Sequence, residues 1–139
     1  MKTFFTIALF LGSLPLFAYD PTLAVNVEKV SSLLSRAENH GTNPSGIVCY
    51  VELRRIEDGF YTLYTASEND QLFIGLDIEA YGKIQSSWTR RSFTLHQRGF
   101  EGIQELKIRE EFSTRHLAVH SKEFVNGKLA ETICYLPLK

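Results

Sequence analysis

Across residues 47–136 the apolar side chains recur at every second position. That period restricts the body of this chain to β-strands with one buried face. Ile47, Cys49, Val51 and Leu53 alternate with Val48, Tyr50, Glu52 and Arg54. Leu72, Ile74, Leu76, Ile78 and Ala80 form the cleanest alternation, with Gln71, Asp77 and Glu79 on the opposite parity. Further strands are expected over residues 60–66, 88–96, 117–125 and 128–136. Residues 102–112 contain good helix formers, yet Leu106, Ile108 and Phe112 share one parity, so a strand is expected there too.

The turn dipeptides fix register. Asp58-Gly59 and Asn126-Gly127 suit two-residue hairpins, whose central positions want positive φ. At Asn126-Gly127 such a loop pairs Val125 with Lys128, Phe124 with Leu129, Lys122 with Glu131, His120 with Ile133 and Val119 with Cys134. At Asp58-Gly59 it pairs Leu53 with Tyr64 and Val51 with Ala66, which puts Cys49, Val51, Leu53, Phe60 and Tyr64 on one face. Tyr50, Ile56, Tyr61 and Leu63 then fall on the opposite face, as do His120, Phe124, Leu129, Ile133 and Tyr135 of the later hairpin. A solvated sheet face is mostly polar. This second apolar face is expected to take either a helix or a partner.

Residues 20–40 read as that helix. Asp20 is a good N-cap, Pro21 suits the first turn, and Gly41 ends it. Leu23, Val27, Val30, Leu34 and Ala37 make one stripe, while Asn26, Lys29, Ser32, Arg36 and Glu38 cover the remainder. The expected fold is mainly β (α+β): an N-terminal amphipathic helix packed on a strongly curved or barrel-like antiparallel meander of six to seven strands.

Ahead of the helix, Lys2, an apolar run broken by Gly12 and Pro15, and Ala18 have the layout of a secretory signal peptide over residues 1–18. The run is shorter than the roughly 20 residues a membrane span needs. Residues 19–139 are expected to form one exported domain, periplasmic or extracellular, with no membrane span. A formal charge of −1 gives no electrostatic reason to expect nucleic acid. In an oxidising compartment the two cysteines, Cys49 and Cys134, read as a disulfide. It would bring the first and last strands together, either by closing a barrel or by folding the sheet over.

The chain holds no nucleophile elbow, phosphate loop, dinucleotide fingerprint or Cys-x-x-Cys. His116 and His120 are four apart, but four strand residues separate their rings by about 13 Å. They cannot share an ion there, so no metal and no cofactor is expected. Asp77 and Glu79 share a solvent parity about 6.7 Å apart, as any wet face allows. The expected binding residues are Tyr50, Tyr61, Phe124 and Tyr135, from the second apolar face, and Arg91, a rim cation. The function expected from this is an exported non-enzymatic binding protein. Its ligand would be a partner protein, for example an extracytoplasmic hydrolase that it inhibits, or a small apolar molecule. The alternatives are a small hydrolase using His96, His116 or His120 with an acid, and a structural or adhesion subunit.

Overall fold

The computed structural model describes residues 21–57, 60–76, 84–99 and 102–139. The expected signal segment, the expected turn at Asp58-Gly59, and Asp77, Ile78, Glu79 and Ala80 therefore lie outside the described residues. Among the described residues, helix α1 (Pro21–Leu34) is followed by nine strands: β1 (His40–Thr42), β2 (Val48–Glu57), β3 (Phe60–Ser67), β4 (Gln71–Gly75), β5 (Gln85–Trp88), β6 (Ser92–Arg98), β7 (Ile103–Glu111), β8 (His116–Val125) and β9 (Lys128–Pro137). All form one antiparallel sheet in the order β4-β3-β2-β1-β9-β8-β7-β6-β5.

Nine strands replace the expected six to seven for two local reasons. The helix stops at Leu34, Ser35 and Arg36 form a closing turn, and within the expected helix end His40–Thr42 is instead a strand that pairs with both β2 and β9. The expected strand over residues 88–96 is two: Thr89 donates to the Ser92 carbonyl at 2.9 Å and turns β5 into β6. The strand reading of residues 102–112 holds as β7.

The inner face is one continuous core. Cys49, Val51, Leu63, Ile74, Leu76, Phe93, Leu95, Leu106, Ile108, Leu117, Val119, Cys134 and Leu136 are all buried in it. The helix inserts Val30 and Leu33, and Ala37 follows. Its stripe is turned from the expected one: Asn26, Val30, Leu33 and Ala37 are buried, while Val27 and Leu34 only flank them. Arg36, just past the helix, reaches the Glu110 carboxylate at 2.7 Å and the Arg90 carbonyl at 3.1 Å, tying this segment to β7 and the β5–β6 turn. Lys29 lies 4.1 Å over the Trp88 ring.

The sheet folds over at β1. Cys49 of β2 and Cys134 of β9 are disulfide-bonded with Cα atoms 5.8 Å apart, although β1 lies between their strands in the sheet order. Two regular strand spacings would give about 9.6 Å. The two strands therefore pinch together across β1, and Gly41, opposite Cys49, makes room: a Cβ there would sit 1.9 Å from the Tyr135 carbonyl oxygen. The halves of the sheet fold against each other, with Thr65 and Ser121 hydroxyls 3.4 Å apart across the interior.

Backbone pairing does not close this sheet into a barrel, since β4 and β5 end the order. Side chains cover part of the gap. Leu76 N–H bonds the Tyr61 carbonyl, so by alternation Phe73 and Gly75 turn their carbonyls to the free edge of β4. Gln97 of β6 donates to Gly75 O at 2.8 Å, and Gln104 of β7 to Phe73 O at 3.4 Å. The two glutamines also bond each other at 2.8 Å, and Gln104 bonds Glu123 at 3.2 Å.

Candidate functional site

The outer face of the sheet presents two neighbouring arrangements. The first is a row of rings over β1–β4. His40 lies against Tyr50 with centroids 4.8 Å apart, Tyr50 meets Tyr64 edge-on at 6.3 Å, and Tyr64 meets Phe73 at 4.8 Å. The register produces this row. Glu52 stands opposite Tyr64 and Tyr64 opposite Phe73, so Tyr64 is diagonal to Tyr50 on one face. Arg54 stacks 3.8 Å over the Tyr64 ring, and its Nε donates to Glu52 at 2.6 Å. The Arg54 guanidinium holds the Glu52 carboxyl below the usual glutamate range. Burial, then Glu52, pushes the Tyr50 hydroxyl above its ordinary value. Phe73 is 45 % exposed, so the row ends in an open ring.

The register here departs from the one expected for a plain two-residue loop. A β-bulge between Arg55 and Glu57 shifts the pairing to Leu53–Leu63 and Val51–Thr65. A one-residue slip exchanges faces. Leu63 and Thr65 are consequently buried, Tyr61 packs at the core margin, and Tyr64 moves outward. The expected outward placing of Tyr61 and Leu63 is thereby corrected, and so is the expected inward placing of Tyr64. Tyr50 lies outside as expected.

The second arrangement is a groove of about 480 Å³ over β6–β9. Two rows of directly opposed residues cross it: Thr94–Lys107–His120–Ile133 and Ser92–Arg109–Ala118–Tyr135. Small side chains at Ser92, Thr94 and Ala118 leave the hollow, and Lys107, Arg109, His120 and Tyr135 stand around it. The later hairpin keeps the expected register throughout, with Asn126 and Gly127 at φ 52° and 76°. Glu131 nevertheless bonds His120 Nε2, the diagonal neighbour, rather than Lys122 opposite.

His116 and His120 engage different glutamates. His116 Nε2 is 3.0 Å from Glu111 Oε1 and 3.3 Å from Thr114 Oγ1, and its ring packs on Tyr135 at 4.6 Å. Carboxylate and hydroxyl thus meet the same ring nitrogen. A hydroxyl–histidine–carboxylate relay uses both nitrogens, one for each partner. The cluster holds its histidine in place at one ring nitrogen, an arrangement that differs from that of such a relay. The Arg109 guanidinium, 3.1 Å away, and then His116 keep the Glu111 carboxyl below the usual range. Among the described residues no three His, Cys, Asp or Glu side chains are grouped to hold a metal ion, and no helix is long and apolar enough to cross a membrane.

The five expected binding residues do not converge. Tyr50 belongs to the ring row and Tyr135 to the groove. Tyr61 sits beside the core, and Phe124, 40 % exposed, lies near the tip of the β8–β9 hairpin. Arg91, in the β5–β6 turn, lies 4.3 Å over the Phe112 ring. Sequence reasoning missed Tyr64, hidden by the bulge, His40, absorbed into the expected helix end, Phe73, although its parity opposite Leu72 and Ile74 points outward, and Lys107 and Arg109. The parity of Leu106 and Ile108 already placed that last pair on the outer face. Compared with known proteins, the chain matches no family model, no curated protein and no solved structure.

Proposed function

We propose that this is an exported, non-enzymatic binding protein that docks a partner protein on the outer face of its sheet. One observation carries the reading. The helix, the element expected to cover the second apolar face, has its buried residues in the inner core, and the row His40–Tyr50–Tyr64–Phe73 stays on the outside. Rigid aromatic rings beside a stacked arginine are the side chains that dominate protein interfaces. The inner face is occupied by packed aliphatic side chains, which favours a surface partner over an apolar molecule held inside. Export is supported by the signal-like segment and by the disulfide.

The test is a photo-crosslinking phenylalanine analogue at position 73 in cells that export the protein. The expected result is one discrete adduct, abolished by Tyr64→Ser and by Arg54→Ala while circular dichroism and thermal midpoint stay at wild-type values. Adducts that survive both substitutions, or a complete lack of adduct, overturn the reading.

A further inference from the structure

We propose that the groove over β6–β9 is a carboxylate-binding site, with Lys107 as its anchoring cation and Arg109 as a second donor. The charges facing the groove carry the inference. Arg109 is paired with Glu111 at 3.1 Å, and His120 with Glu131. Lys107 stands between Thr94 and His120 in the second of the four strands of its row, and among the described residues its ammonium has no ion pair or hydrogen-bond partner. Among the charged side chains that line the hollow, Lys107 and Arg109 face one carboxylate, Glu111, so the lining carries one positive charge in excess.

One carboxylate cancels that charge. A phosphate monoester, at about −1.5 to −2 near neutral pH, would leave an excess of negative charge beside Glu111 and Glu131. Glu111 occupies one of the five N–H donors of Arg109, so others remain for a ligand oxygen. Ala118, Ile133 and Tyr135 supply an apolar wall for the carbon skeleton bearing the acid. The groove is larger than a carboxylate alone, since about 480 Å³ falls within the roughly 300–1,000 Å³ of small-molecule sites. A second hollow of about 290 Å³, over β5–β7, shares Thr94 and Lys107 with it. Lys107 thus stands where two hollows meet, as an anchor for the acid of an elongated ligand. Two sources present that chemistry: an acidic side chain on a protein segment, and a sugar acid.

Amide chemical shifts of β7 and β8, followed while probes are added, test the site. The probes are a blocked hexapeptide with one central glutamate, glucuronate, and inorganic phosphate. Saturable shifts around Lys107 are expected with a carboxylate probe, and weaker binding with phosphate. Lys107→Gln should weaken the carboxylate probe roughly tenfold, the scale of one charge-assisted hydrogen bond. Lys122→Gln, on the same outer face but outside the groove, should leave it unchanged. Preference for the peptide assigns a protein source, and preference for glucuronate a sugar acid. Unsaturating shifts, equal or tighter phosphate binding, or wild-type affinity in Lys107→Gln overturn the proposal. The ring row is tested separately through position 73, so a failure here leaves that reading standing.

Discussion

Asn26 is fully buried on the inward side of α1, and among the described residues neither its amide nitrogen nor its amide oxygen has a hydrogen-bond partner. An unmet buried polar group costs about 1–3 kcal/mol, and an apolar replacement of similar shape removes that cost. Asn26→Leu is therefore expected to raise stability by about 1–2 kcal/mol, read as a higher urea midpoint at unchanged slope. A lower midpoint would mean the amide has a role its neighbours here do not show. Glu111 gives a second residue-scale expectation, in pH. Its folded carboxyl titrates below the usual range, first through Arg109 and then through His116. A depressed carboxylate stabilises the fold fully above the unfolded value, and that contribution is lost as pH falls through the folded one. Carboxyl-carbon NMR should show Glu111 titrating low. Arg109→Ala should move it up further than His116→Ala, and the reverse order would refute the assignment.

Strands and their edges set the next level. The edge of β4 is met by side-chain amides rather than by another strand, since Gln97 and Gln104 bond Gly75 O and Phe73 O. Gln97→Ala removes the 2.8 Å bond and one partner of Gln104 together. A cost of about 1–3 kcal/mol is expected, with faster amide exchange confined to β4 and its neighbours. Uniformly faster exchange would show that the glutamines support the whole sheet and not its seam. The same level shows what the sequence could reveal. The β8–β9 register was legible to the residue, because Asn-Gly forces one turn geometry and nothing interrupts the ladder. The β2–β3 register was not, because the bulge between Arg55 and Glu57 leaves no distinct residue pattern. That single extra residue concealed the ring row by assigning Tyr64 to the core. The groove was half legible. Parity put Lys107 and His120 outside, but their opposition needs the β7–β8 pairing, which no turn dipeptide fixes. The three-residue β1 was too short to carry any period and was absorbed into the helix stop.

At the scale of the molecule, one covalent bond and one glycine hold the fold-over. The bridge joins β2 to β9 across 85 residues and sits in the core, with Cys49 2 % and Cys134 0 % exposed. All strands from β2 to β9 lie within the loop it closes, so almost every long-range pairing forms inside that loop. Beneath it, β1 reaches β9 through one strand-register pair, Thr42–Tyr135, supported by the backbone bonds Glu38 N to Pro137 O and Lys139 N to Arg36 O, both 2.8 Å. So narrow a contact would not by itself hold two half-sheets in a pinch, and the loop-entropy model gives the bridge about 4–5 kcal/mol. Cys49→Ala/Cys134→Ala is expected to lower stability by up to that amount and to speed exchange first at β1 and the paired ends of β2 and β9. Gly41→Ala, with the bridge intact, should produce the same regional pattern, because its methyl would fall 1.9 Å from the Tyr135 carbonyl oxygen and force the strands apart. Urea denaturation with residue-resolved hydrogen exchange reads both variants. Matching patterns would identify the pinch at β1 as the element on which closure depends. Wild-type exchange at β1 in either variant would show that the packed core alone holds the halves of the sheet together.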